Sequence, residues 1–134
     1  MKKYLLLWVI LILPLLSFAK NIPIPIYTNP DQTILQSTNQ PTFVIRLKSN
    51  PTTGYSWFLK KYDPDYIKIV QQQYFPPEKA LPGAGGIEEW KFQLTPLAFT
   101  APHSLSIELA YARPWETKVV PKTIVFHIIT HQDT

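Results

Sequence analysis

The sequence predicts an all-β protein, an antiparallel sandwich or barrel. Three observations carry the prediction. Apolar residues recur at every second position in six separate stretches, and turn-forming residues separate those stretches. Fourteen prolines, seven tyrosines and four tryptophans in 134 residues oppose a helical protein. No run of ten or more residues combines a 3.6-residue period with caps.

The elements are taken in chain order. Lys2 and Lys3 precede an apolar run from Tyr4 to Leu16, and Ser17-Phe18-Ala19 supplies small residues at a cleavage site. That is the layout of a secretory signal peptide over residues 1–19. Helical, the apolar run would span about 20 Å, short of the roughly 30 Å of bilayer hydrocarbon. The chain has no cysteine to carry a lipid anchor. Export, to a periplasm or to the medium, is the expectation. Residues 20–30 hold Ile22-Pro23-Ile24-Pro25-Ile26. Two missing backbone donors restrict this stretch to an edge strand or an extended leader. Residues 31–134 form the single expected domain.

Within that domain Phe43, Ile45 and Leu47 share one face, with Val44, Arg46 and Lys48 on the other. Tyr55, Trp57 and Leu59 alternate with Ser56, Phe58 and Lys60, and Ile67 and Ile69 flank Lys68. Trp90, Phe92 and Leu94 alternate with Glu89, Lys91 and Gln93. Leu105, Ile107, Leu109 and Tyr111 alternate with Ser104, Ser106, Glu108 and Ala110. Ile124, Phe126 and Ile128 alternate with Thr123, Val125 and His127. One dry face per strand is the signature of antiparallel sheets packed on a core.

Composition narrows the function. Loss of Lys2 and Lys3 with the signal lowers the formal net charge from +4 to +2. The remaining charges alternate in sign, which gives nucleic-acid binding no support. Without cysteine the exported domain rests on packing alone, and thiolate metal sites and cysteine nucleophiles are excluded. The three histidines, His103, His127 and His131, lack metal-ligand spacing. No serine sits in a GxSxG elbow. Glu88 and Glu89 are strand neighbours that point to opposite faces, so they form no acid/base pair. An enzyme finds no assembled site, and no cofactor or metal is implied.

Three loops hold the remaining information. In Asn50-Pro51-Thr52-Thr53-Gly54-Tyr55, Pro51 fixes φ, Asn50 offers an Asx-type bond to its own loop, and Gly54 permits positive φ. The product is either a well-formed turn or a stiff, uncharged wedge with Thr52 and Thr53 at its apex. Gly83-Ala84-Gly85-Gly86 lacks the Lys-Ser/Thr of a phosphate loop. It is either a flexible connection or a place where another extended chain approaches bare backbone. In Arg113-Pro114-Trp115, Pro114 ends strand pairing, and Arg and Trp are residue types enriched in interface hot spots.

The order NPTTGY, GxGG, RPW on a small exported all-β domain resembles the chagasin family, protein inhibitors of papain-like cysteine proteases. The likeness runs from about Thr33 to about Thr130 and includes Trp90 four residues beyond the glycines and Tyr111 just before the Arg113 loop. It implies an immunoglobulin-like β-sandwich acting as a monomer. It also implies a protease as partner, with no role for nucleic acid, or for a membrane once the signal is removed. Asn50, Pro51, Thr52, Thr53 and Gly54 would form the central wedge, with the two threonines against the catalytic Cys–His pair and Tyr55 beside it on the protease-binding surface. Gly83, Ala84, Gly85 and Gly86 would lie along the non-primed side, and Arg113, Pro114 and Trp115 would cover the primed side. Pro76, Pro77 and Pro82 around the glycine loop depart from the family pattern, as does Ala101-Pro102-His103 where a glycine turn is expected. The alternative function is a non-inhibitory, exported binding module of the same fold.

Overall fold

Eight strands, in two sheets packed face to face, make up the described part of the chain. The computed structural model describes residues 21–133. The signal-peptide reading of residues 1–19 therefore lies outside the described residues. The strands are β1 (Ile26–Tyr27), β2 (Ile34–Ser37), β3 (Thr42–Ser49), β4 (Ser56–Lys61), β5 (Ile67–Phe75), β6 (Gly86–Leu94), β7 (Ser104–Ala112) and β8 (Lys122–His131). One sheet has the order β1-β3-β6-β5 and the other β2-β8-β7-β4.

The fold is the expected all-β sandwich, with one refinement. The central pairs are antiparallel, but β1 runs parallel to β3 and β2 parallel to β8. The chain changes sheet at each of its first four steps, from β1 to β2, β3, β4 and then β5. Strands that follow one another in sequence are then not neighbours, and the hairpin rule that enforces antiparallel pairing does not apply to them. Only the end of the Ile-Pro leader is strand: β1 is an edge strand, one of the two forms that its prolines allow, and residues 21–25 belong to no strand. The leader pairs only at Ile26 and Tyr27, and Val44 N–H donates to Pro25 O at 2.9 Å.

The dry faces meet in one core that includes Phe43, Ile45, Trp57, Trp90, Phe92, Ile107, Leu109, Phe126 and Ile128. Phe43 stacks on Phe92 with centroids 5.6 Å apart, and Phe92 on Trp90 at 6.3 Å. Three positions depart from the simple alternation, the first being Ala110 of β7, assigned to the wet face but buried. Val44, on the outward phase of β3, is buried, and its register partner is Ile26 of the leader. Ile69 is exposed although its register partner Phe92 is buried, because β5 is an edge strand.

Candidate functional site

Topology brings the three loops to one end. Antiparallel β3 and β6 pair Ser49 with Gly86, so the chain leaves β3 where it enters β6. Antiparallel β4 and β7 pair Ser56 with Ala112, so β4 begins where β7 ends. The segment Asn50–Tyr55 crosses from the first sheet to the second between those two points. The other two loops flank it.

The central segment is a short 3₁₀ turn, Pro51–Thr53, closed by Gly54 in the left-handed conformation at φ 82°. Thr53 N–H donates to Asn50 O and Gly54 N–H to Pro51 O. Asn50 does not make the Asx turn that its position suggests. Its Oδ1 accepts the Thr52 hydroxyl at 2.6 Å, and its Nδ2 donates to Gly83 O at 3.2 Å. The Thr53 hydroxyl donates to Asn50 O at 2.6 Å. Both threonines are exposed, yet both hydroxyl protons are spent inside the turn. What the apex offers to a partner is methyl groups and acceptor lone pairs, with no charge and no free nucleophile.

The flanking loops are fastened to this turn. Arg113 Nε donates to Thr53 O at 2.9 Å, its guanidinium lies 4.3 Å from the Tyr55 ring centroid, and it pairs weakly with Glu116. Arg113 is thus a staple between two loops rather than a free cation. Tyr55 stacks on Tyr111 at 5.3 Å, and the Tyr111 hydroxyl accepts Asn50 N–H at 2.9 Å. Trp115 is 70% exposed, and a Cβ on Gly54 would collide with its indole, so the ring rests on bare backbone there. Pro114 is exposed beside it, beyond the end of β7.

The glycine segment divides. Gly83 and Gly85 are exposed and Ala84 is half-buried. Gly86 is the first residue of β6, buried and paired with Ser49, and a Cβ there would strike the Phe75 carbonyl. The backbone outside the ladder is therefore residues 83–85, where Gly83 O already accepts from Asn50 and Ala84 N–H donates to Leu81 O. A groove of about 670 Å³ runs beside it, lined among others by Lys48, Asn50, Phe75, Pro76 and Pro77.

Three contributing residues lie outside those that the sequence singles out for the site. Val119 and Val120 extend the apolar surface of the Trp115 loop, Val120 being 90% exposed. Glu88 is buried at 4% exposure and bonded to Ser49 and Trp57 at the feet of the turn. Its signal was present, since Glu88 has the same strand parity as Trp90, Phe92 and Leu94. The histidines lie elsewhere. His103 Nδ1 sits within 3.1 Å of the Ala98 and Ala101 carbonyls, which can only accept, so Nδ1 carries the proton. His103 thereby closes the turn that its missing glycine left to side-chain bonding, and its ring packs on Tyr66.

Residues 37–129 match the family model described as Chagasin family peptidase inhibitor I42. The chain is 39% identical over 75 residues to chagasin from Trypanosoma cruzi, an alignment covering 53% of this chain and 64% of that protein. A cysteine protease inhibitor from Entamoeba histolytica has a similar fold, with a TM-score of 0.65 and 24% identity over 80% of this chain and 95% of that one. The solution structure of amebosin gives a TM-score of 0.58 and 25% identity, covering 83% of this chain and 99% of that one. With its three motifs gathered at one end of a β-sandwich and most of its length matched, the chain belongs to the chagasin family of peptidase inhibitors.

Proposed function

We propose that this protein is a reversible, competitive inhibitor of papain-like cysteine proteases, exported after removal of residues 1–19. One observation carries the reading: three loops from both sheets are bonded to one another into a single stiff edge whose apex holds no reactive group. A cleft protease is blocked when its groove is filled by a surface that places no scissile carbonyl at the thiolate. Stiffness matters because loops ordered in advance lose little entropy on docking.

The roles are those that the likeness to the chagasin family implies, and the arrangement of the loops supports them. Thr52 and Thr53 enter the centre of the cleft, over the catalytic Cys–His pair. The bare backbone of residues 83–85 lies along the non-primed side in the manner of a substrate strand. Trp115, held on Gly54, covers the primed side. Asn50, Tyr55 and Arg113 lock the three loops together, while Pro51 and Pro114 stiffen their turns. Gly86 anchors the second loop.

The test is titration of residues 20–134 against papain at several substrate concentrations. Tight competitive inhibition, with the protein recovered uncut, is the expected result. Thr53→Glu is expected to weaken inhibition about 100-fold or more, because it drives a charge into the cleft, and to leave the domain folded by circular dichroism. Failure of the wild-type protein to inhibit papain or a cathepsin L-type enzyme at micromolar concentration would replace this reading with a non-inhibitory binding module.

A further inference from the structure

We infer that Glu88 is the positioning residue that sets the central wedge on the sandwich. The inference deepens the inhibitor reading, and only its kinetic arm rests on that reading. Glu88 is the third residue of β6, inside the mouth between the sheets. Its Oε1 accepts the Ser49 hydroxyl at 2.5 Å and the Trp57 backbone N–H at 3.2 Å. Ser49 is the last residue of β3, and Trp57 is the second residue of β4. One oxygen therefore ties the strand that enters the wedge to the strand that leaves it. Those strands belong to different sheets, so no ladder hydrogen bond joins them at this point.

Packing does not explain a glutamate here. Its Oε2 is buried with no hydrogen-bond partner among the described residues. A carboxylate taken out of water without full pairing is costly, and an apolar side chain of similar size would fill the space at lower cost. What a leucine lacks is an acceptor able to hold two donors from separate strands. β4 is an edge strand, and Trp57 N–H is one of its unladdered donors, so the acceptor also satisfies a group that burial would otherwise leave unpaired. Neighbouring bonds brace the same junction. Trp57 Nε1 donates to Lys48 O at 3.0 Å, and Asn50 N–H to Tyr111 Oη.

The experiment measures amide hydrogen exchange in wild type, Ser49→Ala, Glu88→Leu and Glu88→Gln. The probes are Thr53 and Gly54, whose N–H groups close the 3₁₀ turn, with Ile107 and Phe126 in the centre of the second sheet as controls. Expected is exchange at Thr53 and Gly54 accelerated threefold or more in Ser49→Ala and tenfold or more in Glu88→Leu, with the controls unmoved. Glu88→Gln, which keeps an acceptor oxygen, is expected to stay within threefold of wild type. In parallel, dissociation from papain is expected to quicken tenfold in Glu88→Leu and to recover in Glu88→Gln. Equal acceleration of wedge and control amides, or none at the wedge, would reduce Glu88 to a core residue and overturn the inference. If Glu88→Leu does not fold, Ser49→Ala decides. If papain is not inhibited by any form, the inhibitor reading fails, and the exchange data still judge the role of Glu88.

Discussion

At the scale of single residues, the site is built from contacts that remove freedom rather than from groups that react. Gly54 shows how little chemistry this takes. Its positive φ closes the 3₁₀ turn, and its missing side chain gives the Trp115 indole a seat. Gly54→Ala meets both constraints at once. A left-handed conformation costs an alanine about 1 kcal/mol or more, and the new methyl displaces the indole. The expected outcome is a lower melting temperature together with about tenfold weaker inhibition, read by calorimetry and by papain titration. Trp115→Ala separates the two effects. An exposed indole adds little to folding, so stability should hold, while binding falls by about 2 kcal/mol, roughly 30-fold, if the ring is a hot spot. A loss below about 0.5 kcal/mol would remove Trp115 from the binding surface.

At the scale of elements, alternation and its exceptions decide which strand carries what. β6 is central, and Trp90, Phe92 and Leu94 are buried as a continuous inward set, with Glu88 the polar member of that set. β2 has a polar residue of a different kind. Gln36 is 1% exposed, and neither its amide nitrogen nor its oxygen has a partner among the described residues. The Glu88 side chain bonds two strands, whereas the Gln36 side chain bonds none of the described residues. An unpaired buried amide costs about 1–3 kcal/mol, so Gln36→Met is expected to stabilise the fold by about 1 kcal/mol. Thermal unfolding should show a rise of about 4 °C, and an unchanged or lower midpoint would mean that the amide is satisfied. β5 is the weakest reader of its own sequence. Its Ile69 obeys the alternation and pairs with buried Phe92, yet its place on an edge strand leaves it in water.

At the scale of the whole molecule, strand order makes the site. Two antiparallel pairs, β3 with β6 and β4 with β7, place four strand ends together, and the wedge joins them across the sheets. The leader takes no part in this. β1 pairs with Val44 and Ile45, about 17–20 Å along β3 from Asn50. Removing residues 20–28 strips two residues of parallel pairing and uncovers Val44. The expected result is a melting temperature lower by a few degrees, with papain inhibition unchanged within about twofold. A large loss of inhibition would show that the leader supports the loops.

The sequence by itself determined the fold class, the core faces and the identity of the three loops, because each is a local property. Period-two alternation records which side of a strand is dry, and Pro and Gly mark turns through their own φ preferences. It also restricted the Ile-Pro segment to an edge strand or an extended leader, since prolines there remove ladder donors. The tertiary structure alone decided the pairing partners, and with them three facts about the site. Gly86 is strand rather than free loop because Ser49 lies opposite it. Arg113 is a staple because Thr53 O lies within its reach, 60 positions away in sequence. Glu88 is a buried clamp because Ser49 and Trp57 come from two different sheets to meet it. Each rests on contacts between residues far apart in the chain, and alternation within a strand carries no information about which strand will lie beside it.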